Sequence, residues 1–291
     1  MIYDIRQVTT YRYASPVAYA RHVLRLTPID RMGQRVHAAA LDIEPIPVER
    51  REGHDFFGNR MTWVELDRPH DTLSVQVAAR VAVKRDIALE ATPPWEAIRD
   101  AAFASVDLSP NSPAHYLFSS RQVSLDPEIR AYAAESFAVG RPILDAAVDL
   151  MRRIKADFTY EIGATTASTM PPMSFALRRG VCQDFAHVMI SGMRGLGLPA
   201  AYVSGYLRTG QPSDKDELQG AGAMHAWVLV GCGEEVGWRG LDPTNGIFAG
   251  DDHVVLAIGR DYADVAPIDG VIFASGGQRL EVSVSVTPAT E

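Results

Sequence analysis

The first 87 residues carry the pattern of β-strands without a helical period, and this constrains the fold more than any other feature of the chain. In residues 73–83 the large apolar side chains mostly occupy every second position, which is typical of a strand with one buried face. Strands at this spacing, with no helix between them, favour antiparallel pairing. We therefore predict an antiparallel β-sandwich-like domain over residues 1–90. Its strands are expected over residues 2–13, 21–26, 38–43, 61–66 and 73–83.

Helical signals replace this pattern in the middle of the chain. Residues 91–124 are rich in Pro and Ser and are interpreted as a linker. Asp126 before Pro127 is typical of a helix N-terminus, and Pro142 opens a second helix with an apolar stripe. Strand patterns then return and continue to residue 286. This order predicts an α+β protein whose second domain, residues 125–291, packs helices on an antiparallel sheet.

Composition argues against several classes of function. The 291 residues carry a formal net charge of -8 and no run of like charge, so nucleic acid and anionic membranes are not expected partners. Two cysteines cannot form a disulfide framework, and they fit a reducing compartment. Residues 1–6 show no basic start of a signal peptide, and no segment has the length of a membrane span. We expect a cytoplasmic protein.

Cys182 lies at the predicted start of a helix. The apolar residues that follow it recur at spacings of three and four, and glycines with Pro199 end the segment. The first helical turn holds unpaired N–H groups and the positive end of the macrodipole, which favour a thiolate, the nucleophilic form of cysteine. The alternative is a buried structural cysteine, the usual fate of a free thiol. Cys232, beside a predicted turn, is interpreted as inert.

Residues 224–230 and 236–242 predict the two strands of a hairpin. A two-residue turn at residues 233–234 would place His225 directly opposite Asp242. Opposed side chains on one face have Cβ atoms about 4.5 to 5.5 Å apart, within reach of an imidazole–carboxylate hydrogen bond. The register therefore predicts that His225 and Asp242 share a face of the hairpin and interact.

Cys182, His225 and Asp242 would together supply a nucleophile, a base and an orienting group. The thiolate would attack a carbonyl, His225 would protonate the leaving amine, and Asp242 would fix the imidazole tautomer. The backbone N–H of Cys182 points to where an oxyanion would develop. This chemistry needs sulfur and imidazole within about 3 to 4 Å of each other. We therefore expect the start of the Cys182 helix to pack against the face that carries His225.

Four segments carry a family resemblance: residues 180–186 (GVCQDFA), 197–206 (GLPAAYVSGY), 225–228 (HAWV) and 241–244 (LDPT). They resemble the transglutaminase-like superfamily, which has a papain-like core. With the N-terminal strands and residues 259–265, the chain resembles the bacterial transglutaminase-like cysteine peptidases that carry an N-terminal β domain. The resemblance implies a papain-like core after the β domain, with the Cys, His and Asp named above as catalytic triad.

Two features of the superfamily need separate treatment. Its animal cross-linking members require calcium, but no acidic loop here has that ligand density, so we expect no metal and no other cofactor. Its members often use an aromatic oxyanion donor from upstream of the nucleophile, and Tyr160 or Gln183 could serve in that role here. Core packing is the competing interpretation of Tyr160.

The favoured function is hydrolysis of peptide or amide bonds, in a peptide or protein substrate, through a thioester at Cys182. Acyl transfer to an amine is the nearest alternative. A catalytically silent binding or scaffold protein is a rival from another class. A metal site made of Cys182, His187, His225 and Asp242 is a further rival, although this spacing fits no zinc pattern. His187 is interpreted as a structural hydrogen-bonding residue. Residues 210–222 predict a mobile surface loop that could gate the site.

Overall fold

The computed structural model describes residues 1–31, 33–85, 91–209 and 218–289, and its first part is built from strands. The strands of this part are β1 (Ile2–Val17), β2 (Tyr19–Leu24), β3 (Gln34–Glu44), β4 (Glu49–His54), β5 (Arg60–Leu66) and β6 (His70–Val83). The alternation in β6 is confirmed, because its apolar side chains from Leu73 to Val83 are buried at every second position. Strand β4 was not predicted, since its sequence ERREGH is polar and charged, as is common for an edge strand.

Two four-stranded antiparallel sheets form the sandwich. Two strands near the C-terminus, β14 (Ile268–Phe273) and β15 (Gln278–Pro288), complete them. The strand orders are β15-β1-β6-β3 and β14-β2-β5-β4. Buried residues from both sheets, among them Leu24, Leu66, Val75 and Val77, form one hydrophobic cluster between them. The predicted β-sandwich-like arrangement is therefore confirmed.

The C-terminal strands differ from the domain division that the sequence suggested. Residues 125–291 were expected to form one domain, but β15 pairs with β1 from Tyr3↔Pro288 to Tyr13↔Gln278, and β14 pairs with β2. The chain thus returns to the N-terminal sheets after its central part. Local patterns could not show this return, because pairing between residues far apart in sequence leaves no local signal.

Helices form one layer of the central part. They are α1 (Trp95–Ala104), α2 (Pro127–Ala134), α3 (Ile143–Asp157), α4 (Pro171–Leu177), α5 (Cys182–Gly195) and α6 (Tyr262–Val265), with a 3-10 turn at Pro113–Tyr116. The Asp126 carboxylate accepts from the backbone N–H groups of Glu128 and Ile129, which confirms the expected start of α2. In α5 every side chain from Asp184 to Arg194 is buried, so this helix lies at the centre of the core.

A five-stranded antiparallel sheet forms the other layer. The remaining strands are β7 (Thr159–Tyr160), β8 (Arg179–Gly180), β9 (Ala200–Leu207), β10 (His225–Gly231), β11 (Trp238–Asp242), β12 (Ile247–Phe248) and β13 (His253–Gly259). The sheet order is β12-β11-β10-β9-β13, and α5 packs on β9 and β10. On its other side α5 approaches α2 closely at Gly192, where a Cβ would lie 2.8 Å from the Cβ of Ala133. The α+β fold class, helices on an antiparallel sheet after a β domain, is confirmed.

Two expectations about the later segments need comment. Apolar and polar residues alternate over residues 280–286, which predicts one buried face, but only Val284 and Val286 of β15 are buried, while Leu280 and Val282 are 50% and 38% exposed. The exposed pair lines a cleft that is open to solvent. Residues 210–217, most of the predicted gating loop, lie outside the described residues. Within the described ranges, no helix is long and apolar enough to cross a membrane.

Candidate active site

Cys182 is the first residue of α5, as the sequence predicted. The turn before it is held by the buried Asp184 carboxylate, whose Oδ2 accepts from the Val181 backbone N–H at 2.8 Å and from the Thr165 hydroxyl at 2.6 Å. A Cβ on Gly180 would collide with this carboxylate, so only glycine fits there. Burial raises the pKa of Asp184. These contacts within the GVCQD segment therefore fix the backbone at Cys182.

The hairpin register differs from the predicted one by two residues. The observed pairs are Val228↔Leu241 and Leu229↔Gly240, and the turn contains residues 233–236, closed by the Cys232 N–H to Gly237 carbonyl bond of 2.8 Å. The prediction that His225 is directly opposite Asp242 is therefore wrong. The turn is longer than predicted because Val236 is buried in the central core and belongs to the turn rather than to the strand.

A shift of two residues leaves His225 and Asp242 on one face, because side chains alternate with period two along a strand. His225 Nε2 lies 2.9 Å from Asp242 Oδ2, and both side chains are fully buried. The imidazole–carboxylate contact is thus made diagonally. The Trp227 ring stacks beside His225, with ring centroids 6.2 Å apart.

Asp242 accepts several further hydrogen bonds. Its Oδ1 accepts from the backbone N–H groups of Thr244 at 2.9 Å and Asn245 at 3.2 Å. Its Oδ2 accepts from Asn245 Nδ2 at 2.7 Å and from His253 Nε2 at 3.3 Å. Burial alone would raise the pKa of this carboxyl, but the two histidines hold the pKa well below its ordinary range. Asp242 is therefore a fixed anion.

The charge of Asp242 controls the protonation of His225. Burial would lower the pKa of His225, but Asp242 and Cys182 outweigh it and raise that pKa to about 10. Because Nε2 donates to Asp242, the other ring nitrogen, Nδ1, is the one left for a reacting group. Nδ1 is buried, and a side-chain hydrogen bond with Cys182 is among the causes of the raised pKa of His225.

The thiol of Cys182 lies in the same cleft as this imidazole. Both residues line a cavity of about 290 Å³. The Sγ atom lies 4.0 Å from the carbonyl oxygen of Met224, the residue directly before His225. The side chain of Cys182 is 8% exposed. Cys232 lies elsewhere in the core with no exposure, and burial raises its pKa to about 12.

The two candidate oxyanion donors differ in their surroundings. Tyr160, on β7, is half-buried; burial, followed by the charges of Cys182 and Asp242, raises its pKa to about 12. Gln183 lines the cleft, but its Nε2 donates to the Ala167 carbonyl at 2.9 Å. Tyr202 on β9, which sequence reasoning did not select, also lines the cleft beside Cys182. Burial and the nearby Cys182 raise its pKa well above the ordinary value.

Two further residues of the site were missed by the sequence analysis. His253 starts β13 and shares Asp242 with His225, but no motif surrounds it. Asn245 was detectable, because DPTN is typical of a turn in which the Asp side chain caps the next backbone N–H groups. Asn245 Oδ1 also accepts from the Gln219 N–H at 2.9 Å, and its Nδ2 donates to the Gln219 carbonyl at 3.2 Å. It ties the segment before His225 to Asp242.

That segment packs directly on the histidine. Gly220 has φ +89°, and a Cβ there would lie 2.6 Å from His225 Nδ1. Only a residue without a side chain allows this approach. This segment therefore packs on the imidazole, and its last two residues, Ala223 and Met224, line the cleft.

The four residues of the proposed metal site do not come together. His187 Nε2 accepts from the Tyr262 N–H at 3.2 Å, and burial lowers its pKa to about 4, in agreement with a structural hydrogen bond. Within the described residues, the group with suitable ligand spacing is His225, Asp242 and His253, whose ligand atoms lie within 4.8 Å of one another. Two imidazoles and a carboxylate are a donor set that zinc accepts.

Comparison with known proteins identifies the family of this chain. Residues 3–82 match the bacterial transglutaminase-like N-terminal region, and residues 130–243 match the transglutaminase-like superfamily core. An uncharacterized protein of Mycobacterium tuberculosis is 38% identical over 98% of this chain and 92% of its own length. An uncharacterized protein of Mycobacterium leprae is 29% identical over 96% of each. The chain belongs to the transglutaminase-like superfamily, in its bacterial form with an N-terminal β region.

A solved structure shows the same fold over the whole chain. The crystal structure of a proposed cysteine protease from Cytophaga hutchinsonii has a TM-score of 0.74 at 23% identity, and the match covers 100% of this chain and 92% of that one. At this level of identity the likeness concerns the fold. It agrees with the fold described above.

Proposed function

We propose that this protein is a cysteine-dependent acyl-transfer enzyme that hydrolyses peptide or amide bonds through a thioester at Cys182. The observation that carries the proposal is the buried His225–Asp242 pair, whose imidazole lines one cleft with the Cys182 thiol and interacts with it. A nucleophile, a base and an orienting carboxylate in one cleft are the groups that acyl transfer needs. Membership in the transglutaminase-like superfamily supports the same chemistry.

The proposed reaction has two halves. The Cys182 thiolate attacks the carbonyl carbon and forms the C–S bond; collapse of the tetrahedral intermediate breaks the C–N bond, and the amine leaves with a proton from His225. In the second half, water attacks the thioester and gives a proton to His225. The C–S bond breaks, and the carboxylic acid and the thiolate are released. Asp242 stays an anion throughout and holds the imidazole tautomer.

The developing oxyanion would be stabilised at the start of α5. The backbone N–H of Cys182 lies in the first helical turn, where N–H groups have no partner within the helix. We propose a tyrosine hydroxyl as the second donor, from Tyr160 or Tyr202, because both lie near Cys182 and burial keeps both protonated. Gln183 could donate only after it releases the Ala167 carbonyl.

Transfer of the acyl group to an amine is the second candidate. The superfamily relation favours it, and its first half is identical, so the choice depends only on which nucleophile reaches the thioester. We propose water as the usual acceptor.

The test is a thiol-directed activity probe, followed by a library of blocked peptides with and without a primary amine. We expect probe labelling at Cys182, product formed with water, and loss of both in C182A. Dominance of amine adducts would reverse the order of the two candidates. A wild-type protein that turns over no acyl donor would favour the silent scaffold.

The cytoplasmic location stays a proposal that rests on the two unpaired cysteines. Fractionation of cells that produce the protein, with the probe-labelled protein followed in each fraction, tests this location. Recovery outside the cytoplasm would contradict it.

A further inference from the structure

Strand β15 forms a wall of the cleft that contains Cys182. Leu280 and Val282 line the cavity together with Thr9 and Tyr11 of β1, the strand to which β15 pairs. The register places Thr9 opposite Val282 and Tyr11 opposite Leu280, so these four side chains share the face toward the cleft. The N-terminal β region therefore contributes directly to the candidate active site.

The outer edge of β15 is used by the chain itself along only part of its length. The Val284 N–H donates to the Gly222 carbonyl at 3.0 Å, and the Val286 carbonyl accepts from the Thr209 N–H at 3.0 Å. In an antiparallel pair the backbone groups of alternate residues point to opposite sides of the strand. Since those of Val284 and Val286 point away from β1, those of Leu280 and Val282 do so as well.

Leu280 and Val282 have no such partner in the part of the chain that the structure describes. Their outward backbone groups repeat about every 6.6 to 6.8 Å, twice the rise per residue of a strand. An extended peptide presents its own N–H and C=O groups at the same repeat. This is the arrangement by which peptides are added as a strand to an open sheet edge.

The open edge leads to the reacting groups. Gly222 occupies the next position along it, and two residues later the Met224 carbonyl oxygen lies 4.0 Å from Cys182 Sγ. Leu280, Val282 and Cys182 line the same cavity, so a peptide on this edge would lie in the cleft that contains the thiol. Besides Cys182 and His225, the described residues that line the cavity include no Asp, Glu, Lys or Arg, so a substrate side chain beside Thr9 and Tyr11 meets apolar or neutral groups.

We propose that the substrate is an extended peptide that pairs as an additional strand with the outer edge of β15 at Leu280 and Val282. An uncharged side chain enters the cleft beside Thr9 and Tyr11, and the carbonyl to be attacked is delivered to Cys182. This assignment rests on the proposed function and adds to it the conformation and polarity of the substrate.

The first experiment measures binding without catalysis. Amide exchange of C182A is followed by NMR in the presence of a pool of acetylated and amidated heptapeptides of random sequence. We expect amide exchange at Leu280 and Val282 to slow at least about threefold, the effect of one added hydrogen bond. A pool N-methylated at every residue, which has no N–H to donate on either edge, should give no slowing.

Unchanged exchange at these two amides in the presence of the peptide pool would overturn the proposal. So would protection that grows with protein concentration in the absence of peptide, because it would assign the edge to a second copy of the chain. Neither result depends on the reactivity of Cys182, so neither bears on the proposed chemistry.

The second experiment removes the outward N–H of Val282. In V282P this donor is absent, whereas V282A shortens the side chain and keeps the donor; proline is tolerated where the N–H of an edge strand faces outward. We compare kcat/KM for the heptapeptide pool with kcat/KM for the p-nitrophenyl ester of a single acetylated amino acid. The kcat/KM for the peptide pool divided by the kcat/KM for the ester should fall about three- to tenfold in V282P and less in V282A.

Equal ratios in V282P and V282A would contradict strand pairing and assign the effect to the side chain. Loss of ester turnover in the wild-type protein would instead contradict the proposed function, because the ester is too short to use the edge. The two failures are thereby distinguished.

Discussion

His225 Nε2 lies 2.9 Å from Asp242 Oδ2 although the two residues are not opposed across their hairpin. The diagonal contact works because Asp242 is held from several directions, by the backbone at Thr244 and Asn245 and by the Asn245 and His253 side chains. A carboxylate fixed in this way holds the imidazole with Nδ1 toward the cleft. The pair is therefore positioned by its neighbours more than by strand register.

The two cysteines should differ in reactivity. Cys182 lines the cleft next to a protonated imidazole, whereas burial raises the pKa of Cys232 to about 12 and leaves it without exposure. Iodoacetamide near neutral pH should label Cys182 at least about tenfold faster than Cys232, as followed by peptide mass mapping. H225A should slow only the labelling of Cys182. Equal rates, or faster labelling of Cys232, would count against a thiolate at Cys182.

Removal of the Asp242 charge should change the pH profile as well as the rate. The wild-type pKa of His225 is raised to about 10, mainly by Asp242 against the effect of burial, so kcat/KM should fall as the pH rises through about 10 and the imidazolium is lost. In D242N burial dominates and the alkaline limb should move to lower pH, with kcat/KM reduced roughly a hundredfold or more. An alkaline limb that stays in place would show that Asp242 does not control His225.

The close approach of Gly220 to His225 can be tested with a matched glycine. Gly220 and Gly222 both have left-handed backbones, φ +89° and +82°, so alanine should cost each about 1 kcal/mol of folding free energy. Only at Gly220 would the new Cβ meet His225 Nδ1, at 2.6 Å, while no heavy atom of the described residues lies within 4 Å of a Cβ at Gly222. G220A should lower kcat/KM at least about tenfold more than G222A, at similar melting temperatures. Equal losses would refute the role assigned to this contact.

Acyl transfer by this route needs no metal. Incubation with EDTA should leave kcat/KM within about twofold of its starting value, and elemental analysis should find no stoichiometric zinc in the purified protein. H253Q, which removes one ligand of the His225, Asp242 and His253 group, is the control for metal bound there. Zinc at one equivalent that is lost in H253Q, with activity that zinc restores after chelation, would favour the metal interpretation.

The fold class and the placement of the three candidate site residues could be predicted from the sequence because their signals are local. The alternation in β6, the helix start at Cys182 and the shared face of His225 and Asp242 each depend on a few neighbouring residues. The face was correct although the register was wrong, since a shift of two residues preserves the side on which a side chain lies. The long turn was missed because the burial of Val236 depends on the rest of the core.

Other parts of the site depend on contacts between residues that are distant in sequence. His253 reaches Asp242 from β13, and Leu280 reaches the cleft because β15 pairs with β1 at the opposite end of the chain. Neither position carries a local pattern that distinguishes it from an ordinary strand residue. Tyr202 likewise reads as a buried strand residue until β9 is placed beside α5.

The most direct test of the central claim is a rapid-mixing experiment with the p-nitrophenyl ester of acetylated phenylalanine, quenched in acid and followed by peptide mapping. We expect a burst of about one equivalent of p-nitrophenol per protein and an acyl group on Cys182. The burst should be lost in H225A, although the thiol is still present. Absence of a burst, acylation at any other residue, or a burst unchanged in H225A would contradict the claim that Cys182 and His225 act together.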